Sequence, residues 1–362
     1  MKIAFFGKYG SFGHYNIGGT DSIVRRLSYG LVSKGHEVNF ITFGAQNKED
    51  LLGENGIPVS NFKFLNDAFK AIAGRYDHII TIYLPAKYRL PYLIFRWNKR
   101  KSTRFHYIFQ AWPESSFKRQ LMFAESRLAP YNGFLLCISP RLYRHVSRWA
   151  KNSVLLLPPV PKNYFITPEK KPKSGRLRLT YMGRLDPGKG VSVAIRLFRY
   201  LAKEAPEIQT RICGYPWKHN TETMRLHEKL INQDTIIYEP TTYEGYSQAV
   251  DNNVGHVLRE TDILFLPYDK LSSTIDMPLL LLEGMSQLCA VVTRPLGDLP
   301  EIYGTDQWML QDLSNPEVCF RLIRRLAERL DEERDRLYNQ CEKLKFRTNE
   351  IVQELDSLLR EF

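Results

Sequence analysis

The segment Gly183-Arg184-Leu185-Asp186-Pro187-Gly188-Lys189-Gly190-Val191 decides how the chain is read. An apolar run at 177–181 leads into it and a periodic run at 191–202 leads out, which predicts strand, tight loop and helix. Glycine and proline let the backbone turn sharply, and a helix start leaves N–H groups unpaired at the loop. Arg184 and Lys189 stand together at that helix mouth. A planar fork, a point charge and free amides are the parts needed to hold a diphosphate. The GxxxxGK[ST] spacing is absent, so this is no Walker A loop, and an ordinary surface turn is the competing reading.

The same alternation extends outward. Strands are expected at 209–212, 234–238, 262–267 and 290–293, with a helix opening at 278–286. From Pro316 onward the chain reads as helix, over 317–338 and 348–359, without a sustained heptad. Toward the N-terminus, strands are expected at 3–6, 38–43, 78–82, 105–109 and 134–138, with a helix over 21–34. Between the halves lies a Pro- and Lys-rich stretch, Leu157-Pro158-Pro159-Val160-Pro161 and then 168–175. This predicts two α/β domains with parallel sheets, 1–168 and 175–340, and a final helix in 341–362 that packs back on the first domain. Facing open sheets leave a cleft where ligands bind beyond the strand C-termini.

Composition narrows the class. The chain has 362 residues, 43% hydrophobic and 25% charged, which fits a folded protein rather than a disordered one. Its five cysteines form no CxxC pair, which argues against a disulfide scaffold or a zinc site and for a reducing compartment. No apolar stretch reaches spanning length, and residues 3–6 are too short for a secretory signal, so a cytoplasmic protein is expected.

The net charge of +12 is unevenly placed. Residues 1–170 hold 25 Lys+Arg against 10 Asp+Glu, and the remainder holds 26 against 29. The densest part is 87–101, where Tyr88, Tyr92, Phe95 and Trp97 alternate with Arg89, Arg96, Lys99, Arg100 and Lys101. Arg141, Arg144, Arg148 and Lys151 have the spacing of one helix face. A solvated face and an anionic membrane surface are both open readings, the second placing the protein peripherally on the inner face of the cell membrane. Nucleic acid is disfavoured, since no binding motif accompanies the charge.

Two further segments carry chemistry. The loop 7–19 holds five glycines between a strand and a helix, among them Gly18 and Gly19, but lacks the GxGxxG spacing of a dinucleotide site. His14 in that loop is a candidate to line a sugar site, or an ordinary surface residue. In Thr274-Ile275-Asp276-Met277-Pro278-Leu279-Leu280-Leu281-Leu282-Glu283, an acid at 283 in so apolar a helix needs a partner, a ligand or a route to solvent. The histidines lie singly and no DxD follows a strand, so no metal site is expected.

These segments together resemble the retaining GT-B glycosyltransferases of family 4, which include enzymes similar to sucrose synthases. Gly18-Gly19, Gly35-His36-Glu37-Val38, Ser139, the 183–190 block, Ala290-Val291-Val292-Thr293 and Gly297…Glu301 carry the resemblance across nearly the whole chain. It implies an α/β GT-B fold, two Rossmann-like domains facing each other across a cleft. It also implies a retaining, metal-independent enzyme with no cofactor, taking a nucleotide sugar, with UDP expected, and a hydroxyl of a glycan or lipid-linked acceptor. By the resemblance, Arg184 and Lys189 hold the donor diphosphate and stabilise its developing charge, and Glu283 binds the donor ribose. Gly18, Gly19, Gly183, Pro278 and Leu279 line the donor, and Gly214 and Tyr238 lie near the base. The chain departs from the family at Ile275, where the first of two glutamates is usual, and at Gln110, where a histidine is frequent. Asp276, one position on, is expected to take over a sugar-hydroxyl contact. A non-catalytic scaffold or carbohydrate-binding protein of this fold is the alternative.

Overall fold

The computed structural model describes residues 1–8, 18–44, 48–52, 56–113, 115–128, 130–173, 175–216, 220–241, 248–270 and 275–362. The expectations placed on Gly10, Gly13, His14 and Thr274 fall outside these residues.

The first sheet contains β1 (Lys2–Lys8), β2 (Glu37–Phe43), β3 (Lys48–Leu52), β4 (Ile57–Phe62), β5 (His78–Tyr83), β6 (Arg104–Phe109), β7 (Leu135–Cys137) and β8 (Ser153–Leu155). Its order is β3-β4-β2-β1-β5-β6-β7-β8, and only β3 runs antiparallel to its neighbour. β1 is central, so its run is apolar on both faces: Ile3 and Phe5 enter one buried cluster, Ala4 and Phe6 the other. The second sheet contains β9 (Arg178–Arg184), β10 (Gln209–Tyr215), β11 (Ile237–Pro240), β12 (Ile263–Leu266) and β13 (Ala290–Thr293), all parallel, in the order β11-β10-β9-β12-β13. The fold is therefore the expected pair of Rossmann-like domains.

Helices cover both sheets. Those that bear on function are α1 (Gly19–Ser33), α3 (Ala86–Lys99), α4 (Ser116–Leu128), α5 (Pro140–Val146), α6 (Val191–Glu204), α8 (Gln248–Glu260), α9 (Leu279–Ser286), α11 (Pro316–Ala327), α12 (Leu330–Leu344) and α13 (Thr348–Glu361). The remaining helices are α2 (Leu65–Ile72), α7 (Thr221–Ile231) and α10 (Leu299–Tyr303). The chain crosses between domains twice, and the crossings pair: Val160 N donates to Phe346 O at 3.0 Å and Thr348 N to Val160 O at 2.8 Å. α13 then lies on α1 of the first domain. There His36 Nε2 meets Asp356 Oδ1 at 2.8 Å, and a Cβ on Gly30 would fall 2.2 Å from Val352.

Three local expectations change. The continuous helix over 317–338 is two helices, because its halves pack on different partners. α11 buries Cys319, Leu322, Ile323 and Leu326 beside α6, whereas α12 lies against α9 and β13. α5 stops at Val146, so Arg148 and Lys151 do not extend its basic face. The face itself is not simply solvated: Arg141 and Arg144 reach acids of the second domain, as described below. In α3 the rings are mostly internal. Tyr92 is fully buried against Phe6 and Phe105, Phe95 stacks on Phe69 at 4.3 Å between centroids, and Tyr88 sets its edge to Phe43. A 3.6-residue period places those rings toward the sheet and leaves Trp97 outward.

Candidate active site

The loop after β9 is built by local constraints. Asp186 Oδ1 accepts from Gly188 N at 3.0 Å and caps a single turn at Pro187–Lys189. Gly190 then starts α6 with φ +75°, and a Cβ there would fall 1.8 Å from the Pro267 carbonyl oxygen. Only glycine fits both the conformation and the approach to the end of β12. Arg184 Nη2 lies 3.2 Å from Asp186 Oδ2. Lys189 Nζ sits 4.9 Å from the centre of the Tyr268 ring. Burial first, and then the Arg184 charge, bring the Lys189 ammonium down to about 8, with Asp186 opposing them. An ammonium held this way favours an incoming anion.

Gly183 precedes Arg184 in β9, paired with Gly214 of β10. Gly214 is pressed between Leu185 and Tyr238, so the expected base-side residues adjoin the loop. The Tyr238 hydroxyl bonds His227 Nδ1 at 2.6 Å, and burial raises its phenol well above the ordinary range.

Glu283 is also near Tyr268, close enough that its charge adds to the burial that raises that phenol. Its carboxylate is buried and meets Arg26 of α1: Arg26 Nη2 is 2.6 Å from Glu283 Oε1 and 2.7 Å from Asp251 Oδ1 of α8. Arg26 Nη1 also donates to Pro159 O in the linker at 3.0 Å. Burial raises the Glu283 carboxyl foremost, Arg26 lowers it and Asp251 raises it again. One cation from the first domain therefore holds two acids of the second.

Asp276 is likewise held across the cleft. Ser139 Oγ donates to its Oδ2 at 2.9 Å, Arg141 Nη1 stands 3.3 Å from its Oδ1, and its N–H donates to Gln110 O at 2.8 Å. Burial raises this carboxyl above the usual range, against the Ser139 hydrogen bond and the Arg141 charge. Gln110 Oε1 also accepts from Thr20 Oγ1 at 2.9 Å. Nearby, Arg144 bridges Asp298 at 2.6 Å and Glu301 at 2.8 Å. Gly18 precedes α1, and Gly19 abuts the start of α9: a Cβ there would meet Ile275 at 3.2 Å and Leu279 at 3.7 Å. Pro278 immediately precedes Leu279, the first residue of α9.

The predicted residues thus fall into two neighbouring groups. Arg184, Lys189, Gly183, Gly214 and Tyr238 surround the second domain's loop. Gly18, Gly19, Asp276, Pro278, Leu279 and Glu283 lie where α1 and α9 meet. Tyr268 adjoins a member of each, Lys189 and Glu283. Sequence reading missed Arg26, Asp251 and Tyr268. Arg26 carried a signal, since it follows Ile23 by three residues on the stripe of Ile23, Leu27 and Leu31 that α1 buries. A recess in the first domain, lined by Leu84, Tyr107, Phe109, Met122 and Trp149 together with Arg89 and Glu125, contains none of the predicted donor-site residues. Among the described residues, no group of three or more His, Cys, Asp or Glu side chains is placed to hold a metal ion.

Two Rossmann-like domains facing across such a junction define the GT-B class. Within it, residues 165–344 match the family model described as Glycosyl transferases group 1. The chain is a GT-B-fold, glycosyltransferase-like protein related to that family. Solved structures support the fold. Sucrose-phosphate synthase from Thermosynechococcus elongatus superposes with a TM-score of 0.74 at 15% identity, covering 99% of this chain and 98% of that one. HepE of Anabaena, in complex with UDP-glucose, gives 0.69 at 15% identity over the full length of both chains. The catalytic domain of starch synthase IV from Arabidopsis thaliana, bound to ADP and acarbose, gives 0.61 at 12% identity over 99% and 98%. No curated protein matches the sequence.

Proposed function

We propose that the protein is a retaining glycosyltransferase that moves a hexosyl unit from a nucleotide sugar to a hydroxyl of a glycan or lipid-linked acceptor. Cell-surface polysaccharide or glycolipid synthesis is the setting that fits these substrates. The observation that carries the reading is the Arg184–Lys189 loop, a cationic turn at the mouth of α6 whose ammonium is destabilised by burial. Residues 175–340 form the donor side, and residues 1–168, completed by a helix from 341–362, the acceptor side. HepE in complex with UDP-glucose supports a UDP-sugar as donor.

In this reading Arg184 and Lys189 take the α- and β-phosphates. As the bond from the anomeric carbon to phosphate oxygen breaks, the electron pair leaves with the nucleoside diphosphate, and these cations stabilise the growing charge. The acceptor oxygen bonds to the same carbon from the same face, and its proton passes to the departing phosphate, so neither metal nor cofactor enters. Gly214 and Tyr238 border the base. Asp276 offers a carboxylate to a sugar hydroxyl. Glu283, whose Oε1 meets Arg26, is the acid that takes the ribose. The protein works in the cytoplasm, peripherally on an anionic membrane face.

Thermal-shift screening against UDP-, GDP-, dTDP- and ADP-sugars, followed by NMR of the product's anomeric configuration, tests this. A shift with one donor and retention at the transferred carbon is the expected outcome. A second reading, a non-catalytic binding protein of this fold, draws on Ile275 and on the full pairing of Asp276 and Glu283. Donor binding with neither transfer nor slow donor hydrolysis would select it.

A further inference from the structure

The exposed apolar side chains are not scattered. Among the described residues, eleven large apolar side chains are exposed, and six of them stand on α3 and α4: Leu90, Ile94, Trp97, Phe117, Leu121 and Leu128. Leu90 is 67% exposed, Phe117 70% and Leu128 68%. At 3.6 residues per turn, the three on α3 fall within about 60° of one another and the three on α4 within about 40°. Each helix thus has an outward apolar stripe opposite the face it buries.

The helices are joined. Glu125 of α4 receives Arg96 at 3.2 Å and Arg89 at 3.5 Å from α3, and Arg96 lies over the Tyr131 ring at 3.5 Å. The acid that α4 carries is turned inward and spent on α3. The outward cations flank the stripes: Lys87, Arg100 and Lys101 beside α3, Lys118 and Arg127 on α4. Over residues 86–128 the sequence has ten Lys+Arg and two Asp+Glu.

We propose that the α3–α4 pair is the surface by which this protein lies on an anionic bilayer. The stripes enter the headgroup–acyl boundary, Trp97 sits at headgroup level, and the flanking cations meet lipid phosphates. This deepens the membrane part of the proposed function and rests on it. It also relocates the contact from Tyr88, Tyr92 and Phe95, which face the core, to the six outward side chains. Charge and apolarity select the occupant together. A nucleic acid would use the cations and leave the apolar side chains in water. A neutral protein partner would use the stripes and leave the cations idle. An anionic lipid surface satisfies both at once, and the interleaving Lys87, Leu90, Ile94, Trp97, Arg100 is the pattern of an interfacial helix.

The test uses the full chain without donor, in flotation with phosphatidylcholine vesicles and with vesicles containing one-quarter phosphatidylglycerol, at about 0.1 M salt. Wild type is expected to float at least tenfold better with the anionic vesicles. Replacing Leu90, Ile94, Phe117 and Leu121 by Ser is expected to cut that binding at least tenfold with the charges intact. Replacing Lys87, Arg100, Lys101 and Lys118 by Ser is expected to abolish the preference for anionic lipid. All eight side chains are exposed, and unchanged thermal melts confirm that the variants fold. Tryptophan emission is expected to shift to the blue on binding, and the shift to disappear in Trp97→Phe. Undiminished binding by the apolar variant overturns the proposal, reducing the contact to charge alone. Absence of flotation by wild type overturns it and leaves a protein as the occupant. No chosen residue belongs to the transfer site, so a wild type that binds anionic vesicles yet shows no turnover with any donor would instead count against the transferase reading.

Discussion

Two charged clusters that both adjoin Tyr268 use the same kinds of residue in opposite proportions. In the first, Arg26 stands against Asp251 and Glu283, all three buried, with one cation facing two acids. In the second, Arg184 and Lys189 stand beside Asp186, with the Arg184–Asp186 pair partly open to solvent. Among the groups named, the first counts one cation to two acids and the second two cations to one acid. Burial opposes charge in both: it raises the Glu283 carboxyl and lowers the Lys189 ammonium. The Arg26 cluster closes on itself and ties the two domains. The Arg184–Lys189 loop places two cations beside Asp186 at the start of α6, the arrangement on which the donor-site proposal rests.

The largest expected effect comes from breaking the closed cluster. Arg26→Met removes the cation that both buried carboxylates meet, and loss of one partner of such a set costs about 3–5 kcal/mol. Urea denaturation at pH 7 measures it. Arg26→Met with Glu283→Leu should recover part of the loss. A single variant within 1 kcal/mol of wild type, on the order of a surface pair, would erase the contrast.

Lys189→Ala should behave the other way. Its kcat/KM should fall about a hundredfold, or about 3 kcal/mol of transition-state stabilisation. Its melting temperature should hold or rise, because a destabilised ammonium has been removed. Steady-state kinetics beside a thermal melt reads both. A drop in stability matching that of Arg26→Met would make the loop a structural cluster after all.

A third test asks how much of the tie between first and last segments is packing without charge. Gly30→Ala places a methyl against Val352 and should cost about 1–3 kcal/mol by overcrowding. Chemical denaturation checks it, and Gly30→Ala with Val352→Ala should relieve most of the loss.

The smallest effect at neutral pH, and one that grows on acidification, belongs to His78 and His106. Phe134 N–H donates to His106 Nδ1 at 3.0 Å, so His106 Nε2 carries the proton and donates to His78 Nδ1, also at 3.0 Å. Burial brings His78 down to about 4, with Arg104, the N-terminal amine and His36 assisting and Asp77 opposing. It pushes His106 well below its ordinary value. The fold thus favours the neutral rings. Their contribution is complete above the unfolded-state value of about 6.5 and declines as pH falls toward 4. Urea midpoints measured from pH 7 to pH 4 should show this decline, and a His78→Gln/His106→Gln chain should show a flatter one.

Much of the architecture was legible because local signals agreed. The glycine-rich turn at 183–190, the doubly buried run of β1 and the alternation of short apolar and amphipathic segments all pointed to two α/β domains. The short strands β3, β4 and β8 escaped, as they carry little apolar contrast. The break between α11 and α12 also escaped, since neither Pro nor Gly marks it and only the change of packing partner explains it. At the site, the cationic loop was legible because its residues are consecutive. The Arg26–Asp251–Glu283 cluster was not. Its members are 225 and 257 positions apart, and no periodicity in one helix names the acid it meets in another.

The placement of α13 sets an order of assembly. His36 and Asp356, which meet at 2.8 Å, are separated by 320 positions. A chain emerging from the ribosome can form the first sheet early, but the α1 surface around Gly30 stays uncovered until residues 348–361 arrive. During that interval the whole second domain is made, and an apolar face of the first waits in water. Contacts so distant along the chain slow the final closure of a domain. The first domain to begin folding is therefore the last to finish, and the time a nascent chain spends half-clad, rather than the stability of the finished molecule, is where chaperone dependence should be greatest.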